Sequence, residues 1–205
     1  MQLQSQGITD GRLRYNADGK ILVENLSTEI LLSEVSSSYG ENSKGKTSFD
    51  HHKAMFGLLA MIRTIASLYK YGSFETFSKL KLHFVHIHGQ GIRHWTISTP
   101  VPGVYVMNKE QRVDIIDEFH KKNNTVRFVT FTLTLASALE ETMGVLDALK
   151  DEHAEKERDW RFEKNVSCSS LLELVCPQIV RLNENKHMVQ IADDGPKSPV
   201  YILNA

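Results

Sequence analysis

Polar and apolar residues follow distinct patterns along this chain, and each pattern predicts an element. "GRLRY" (Gly11 to Tyr15) alternates weakly, as a short strand would, and the dozen polar residues at the start predict poor order. "NADGK" (Asn16 to Lys20) has turn chemistry, because Asn, Asp and Gly tolerate left-handed backbone. "KILVEN" and, after the break "NLST", "EILLSEVS" (Glu29 to Ser36) follow. The second run is nearly continuous in apolar content, as a strand buried on both faces would be. "SSYGENSKGKTS" (Ser37 to Ser48) reads as a loop. A helix is predicted from about Ser48 or Phe49 to Lys70, with Thr47 or Ser48 as cap and Asp50 in the first turn. Phe56, Leu59, Ile62, Ile65, Ala66 and Tyr69 recur along it at helical spacing.

"SFETFSKL" predicts a short helical turn, and "KLHFVHIHG" (Lys81 to Gly89) and "IRHWTIST" (Ile92 to Thr99) a strand pair joined by "GQG". "GVYVMNK" predicts a further strand after Pro102 and Gly103. One long amphipathic helix follows, from about Thr125 to Arg158, with Leu135, Leu139, Met143, Leu146 and Leu149 on one stripe. Beyond Trp160 the pattern weakens. "SSLLELVCPQIV" reads as a short helix stopped by Pro177, and "ADDGPKSPVYILNA" as a tail. The expected organisation is one α/β domain over residues 1–160, with a mixed central sheet flanked by helices, and an extension over residues 161–205.

Composition narrows the class. The chain has 205 residues, 41% hydrophobic and 24% charged, ordinary for a soluble globular domain. A net charge of −1 provides no global basic field, so any nucleic-acid binding needs a local patch. Two cysteines, Cys168 and Cys176, imply no disulfide framework. No apolar run approaches the length of a bilayer span, and the start lacks a signal-peptide core. The expectation is an intracellular protein of cytoplasm or nucleus with no membrane partner.

The acids carry the candidate chemistry. Asp18 opens one predicted strand and Glu34 ends the next. If the two strands are antiparallel neighbours, the start of one lies beside the end of the other, and the carboxylates converge. Mg²⁺ prefers such a site, with one or two carboxylates, waters and substrate phosphate oxygens. The ion would polarise a phosphodiester and help generate hydroxide.

"ADG" at Ala17 to Gly19, an apolar strand, and "LLSEVSS" at Leu31 to Ser37 resemble the Asp … Glu-x-Lys core of the PD-(D/E)XK, or restriction-endonuclease-like, superfamily. "LLSEVSSSYG", "FDHHKAMFGLLAMIRTIA", "GVYVMN" and "LEETMGVLDALKDEH" resemble uncharacterised protein families abundant in early-diverging moulds, over roughly Asp18 to Glu155. The nuclease resemblance implies catalytic roles for Asp18 and Glu34, both as metal ligands, with Mg²⁺ as cofactor and nucleic acid as partner. The lysine position holds Ser36, which supplies no positive charge. Lys53 on the following helix is the nearest substitute, with Lys44 and Lys46 in the loop as the others. Only seventeen residues precede Asp18, short for the elements that usually open such a core. Both departures point to a degenerate, silent nuclease-like domain.

Plainer readings stand beside these. Asp18 serves turn chemistry, Glu34 sits at an exposed strand end, and Lys53 is a solvated helix residue. "DHH" (Asp50 to His52) lacks the upstream aspartate motifs of the phosphoesterases that share it. His86 and His88 share a strand face, with His94 a turn away, but no third metal ligand is fixed. "GKTS" mimics the end of a phosphate-binding loop without its first glycine. The alternative function is a non-catalytic interaction domain that self-associates, or docks a partner, through its long helix.

Overall fold

A computed structural model describes residues 17–26, 28–41, 43–116, 122–162 and 170–179. The expected disorder of residues 1–12, the strand at Gly11–Tyr15, Cys168 and the final tail lie outside them. In chain order the elements are β1 (Gly19–Val23), a 3-10 turn (Glu24–Leu26), β2 (Thr28–Val35), α1 (Lys44–Leu68), α2 (Phe74–Phe77), β3 (Lys81–His88), β4 (Gly91–Val101), β5 (Val104–Asp114), α3 (Lys122–Phe162) and α4 (Leu171–Leu174).

The sheet is mixed, with its five strands in sequence order. β1 pairs antiparallel with β2, β2 parallel with β3, and β3, β4 and β5 continue antiparallel. The single parallel step needs a crossover, which α1 and α2 provide. β2 is buried continuously from Thr28 to Leu32, as its apolar run predicts. Its alternation then decides which residues face α1. Ile30 and Leu32 point into the core, and Glu34 and Ser36 follow on the same side. On β3 and β4 that side carries Leu82, Phe84, Trp95 and Ile97, closed over by Leu58, Ile62 and Ile65 of α1.

Two predicted features shift. The helix expected near Ser48 begins at Lys44, with Ser43 as N-cap making no side-chain capping bond. Part of the predicted loop is therefore α1's first turn, held by the Thr47 amide on Ser43 O and by Lys46 Nζ reaching Val35 O at 3.3 Å. Within the segment expected as an extension, Leu171 and Val175 are fully buried in the core, and the Leu171 amide donates to Lys70 O at 2.8 Å.

α3 crosses the opposite face of the sheet. Its Leu146 and Leu149 are fully buried, while Leu139 and Met143 pack partly against the core. A buried polar chain joins this helix to β3, β4 and β5. Thr142 Oγ1 donates to a backbone carbonyl, that of Lys81 or Ala138. Its oxygen must then accept from His83 Nε2–H at 2.9 Å. His83 Nδ1 is left to accept from His94 Nε2–H, also at 2.9 Å. The Gln111 amide faces His94 Nδ1 at 3.4 Å and donates to Phe131 O of α3 at 3.0 Å. One proton arrangement satisfies every member, with both imidazoles neutral. Among the described residues no helix is long and apolar enough to cross a membrane.

Candidate active site

Glu34 and Ser36 lie where the parallel strands β2 and β3 end, beneath the first turns of α1. The carboxyl ends of parallel strands are the usual place for ligand sites in α/β sheets. Register sets the neighbours: Glu34 stands beside His86, and the Ser36 amide continues the ladder to Ile87 O at 3.0 Å. From above, α1 presents Asp50 and Lys53 at a spacing of three, hence on one face.

Lys53 Nζ lies 2.9 Å from Glu34 Oε1 and 3.7 Å from Asp50 Oδ1. Glu34 and Asp50 are buried, and Lys53 is largely so. Ser36 Oγ sits between Asp50 Oδ2 at 2.8 Å and His86 Nε2 at 2.7 Å. An ionised carboxylate only accepts, so the serine proton goes to Asp50 and the serine oxygen accepts from His86 Nε2–H. This ordering is the reverse of a nucleophilic serine, whose proton is taken by the histidine. Ser36 is not a nucleophile here.

The electrostatics follow from depth. Burial raises the Glu34 carboxyl to about 7; Lys53 pulls against that rise, while Asp50 and Asp18 add to it. Burial, together with the neighbouring His88 and His51, pushes His86 far down, so it is neutral. His51 is lowered to about 4 by burial and by His52 and His88, and its ring packs edge-on against Trp95 with centroids 4.8 Å apart.

Asp18 sits at the open end of the β1–β2 hairpin, away from its turn at Glu24–Leu26. Gly19 pairs with Ser33, which places Asp18 opposite Glu34 at the next step of the ladder. Its Oδ2 accepts from the Val35 amide at 2.7 Å, so one oxygen is spent on tying the two strands together. The side chain is exposed where Glu34 is buried, and its charge still bears on Glu34. Among the described residues no trio of His, Cys, Asp or Glu side chains surrounds a common point. The register leaves Asp18 and Glu34 as two carboxylates at neighbouring positions on adjacent strands, which water and substrate oxygens would have to supplement to fill a divalent ion's shell. That donor chemistry fits Mg²⁺.

Three plain readings change. Glu34 is not at an exposed strand end, because α1 covers it. Lys53 is not a solvated helix residue, because Glu34 holds its ammonium inward. Asp50 is not a first-turn acid: with α1 starting at Lys44 it falls in the second turn and is buried. Sequence reasoning singled out Asp18, Glu34 and Lys53 and missed the partnership of Ser36, Asp50 and His86. The available signal was Ser36 sharing a strand face with Glu34, and Asp50 a helix face with Lys53. The histidine's place depends on the β2–β3 register, which no local pattern carries. His86 and His88 do share the α1 face, whereas His94 lies on the other side against His83, with ring centroids 5.2 Å apart.

Comparison of the chain with protein-family models, with curated proteins and with solved structures returns no match.

Proposed function

We propose that the strand–strand–helix–strand unit from β1 to β3 is a restriction-endonuclease-like core, and that Asp18, Glu34 and Lys53 form its metal-dependent phosphodiester-cleaving site. The observation that carries this reading is the 2.9 Å contact of Lys53 Nζ with Glu34 Oε1. An ammonium stands beside the glutamate although position 36 holds serine, which weighs against the silent site that Ser36 suggests.

A divalent ion at Asp18 and Glu34 would supply Lewis-acid polarisation of the phosphodiester. Lys53 keeps a fixed charge at Glu34 and has two further N–H donors to offer a phosphate oxygen or the attacking water. Lys44 and Lys46, exposed on the first turn of α1, add positive charge next to the site. That local patch suits the backbone of a nucleic acid, which the near-neutral chain as a whole does not attract.

The direct test is cleavage of plasmid and single-stranded DNA with Mg²⁺ or Mn²⁺ by wild type and by Asp18→Ala, Glu34→Ala and Lys53→Ala. Loss in all three supports the assignment. Cleavage that survives both carboxylate substitutions sinks it.

A second reading, self-association through α3, is favoured by one feature. Val126, Val129 and Leu133 are 64%, 49% and 64% exposed at the three-and-four spacing of a helix-pairing seam. Light scattering over a concentration series tests it, with Leu133→Glu expected to keep the chain monomeric. A concentration-independent monomer mass for wild type removes this reading.

A further inference from the structure

Serine at position 36 is more than an absent lysine. We propose that Ser36 and His86 are positioning residues that hold Asp50 in place and, through it, aim Lys53 at Glu34. This inference rests on the site proposed above and assigns a role to three residues which that reading leaves idle.

The geometry runs in one direction. His86 is fixed on β3 by the ladder and is 1% exposed. Its Nε2–H donates to Ser36 Oγ, and the Ser36 hydroxyl donates to Asp50 Oδ2. With one carboxylate oxygen held, the other faces Lys53 Nζ at 3.7 Å, while Glu34 takes the ammonium at 2.9 Å. A lysine stem has four rotatable bonds and no preferred direction. Here two carboxylates at different distances confine its end, and the more distant one is itself oriented from the sheet. A lysine at position 36 would enter the space the serine hydroxyl occupies between Asp50 and His86. The small side chain at that position is what allows α1 to place Lys53 close to Glu34. Ser36 touches neither the ammonium nor Glu34, so it acts through Asp50 and is not a catalytic residue.

The test uses the full chain and two readouts. One is the acetylation rate of Lys53 under limiting acetic anhydride, followed by peptide mass spectrometry. The other is Mg²⁺-dependent cleavage, separated into kcat and KM. Ser36→Ala and His86→Leu are expected to speed Lys53 acetylation severalfold, because an ammonium no longer confined by an oriented Asp50 swings out to meet the reagent. Both should lower kcat and leave KM for DNA unchanged. His86→Gln keeps an N–H near the Nε2 position and should restore both readouts towards wild type. Where His86→Leu fails to fold, Asp50→Asn removes the second carboxylate charge and should free Lys53 in the same way. Acetylation and kcat indifferent to both Ser36→Ala and Asp50→Asn would overturn the proposal. A wild type that never cleaves, yet whose Lys53 responds to these substitutions, would retain the positioning role and refute the nuclease reading alone.

Discussion

Lys53 Nζ and Glu34 Oε1 meet 2.9 Å apart, one from the third turn of α1 and the other from the end of a buried strand. Removing one partner of such a pair strands the other. Lys53→Met should cost about 3 kcal/mol in urea unfolding, less the relief Glu34 obtains by taking a proton. If the site cleaves phosphodiesters, the same change should lower kcat by roughly a hundredfold, typical for the loss of one aimed charge. A variant with wild-type stability and wild-type rate would show that the contact is incidental.

Glu34 also sets a pH dependence. Its folded pKa, about 7, lies above the ordinary 4.5. A raised carboxyl contributes stability that is fully present below 4.5 and is lost as pH rises through 7. The loss is on the order of 2 kcal/mol after allowing for partial solvent access around Lys53. Glu34→Gln should remove this slope, so the variant's melting temperature rises relative to that of wild type as pH goes from 5 to 8. Identical slopes would mean the carboxyl titrates normally.

Four buried histidines act in the opposite sense. His83 is pushed down to about 3 by burial and by nearby His94 and Lys81, and His51 to about 4. His86 and His94 are also lowered, chiefly by burial. A depressed histidine contributes stability that is present above its unfolded pKa of 6.5 and lost as pH falls towards its folded value. At pH 5.5 His51, His83 and His86 each cost about 1.4 kcal/mol, together about 4 kcal/mol, a large share of a domain's stability, and His94 adds in the same direction. Circular dichroism across pH 7 to 4 should show cooperative unfolding well above the carboxylate range. A chain fully folded at pH 4 would contradict the neutral, buried assignment.

Thr142 anchors α3 to the sheet through His83. Thr142→Val keeps the shape but leaves His83 Nε2–H buried without an acceptor, at a cost of about 1–3 kcal/mol. Thr142→Ser retains the hydroxyl and should lie within about 1 kcal/mol of wild type. Denaturant midpoints of the two variants separate a lost hydrogen bond from lost packing.

Gly72 fits under α3 with no room for a side chain. A methyl there would come within 2.8 Å of Leu149 Cδ2 and 3.1 Å of Tyr69 O. Gly72→Ala should destabilise by about 1–3 kcal/mol through overpacking. Leu149→Ala on the same background should recover part of that loss, since the two sites share one space. Strict additivity of the two changes would exclude the steric cause.

The features legible in the sequence are those that local pattern encodes. The continuous apolar run of β2, the paired strands β3 and β4, and the stripe from Leu135 to Leu149 place the elements in their order. Asp18 and Glu34 stand out because a turn and a strand end flank one hairpin, whose antiparallel geometry is itself local. The helix starts earlier than its pattern predicts because Lys44, Gly45 and Lys46 have loop composition, and the Thr47 amide on Ser43 O together with Lys46 reaching Val35 O holds them in the first turn.

Periodicity along the chain by itself determined which residues form strands and helices, since the side-chain repeat of an element is a property of its own backbone. Tertiary structure decided what those residues do. The parallel register of β2 on β3 brings His86 to Ser36, and the crossover carries α1 back so that Asp50 and Lys53 descend on Glu34. His94 was separated from His86 and His88 for the same reason, because pairing puts it on the face that α3 covers. These choices depend on how distant segments align, and burial then converts ordinary acids and imidazoles into groups with shifted charge states.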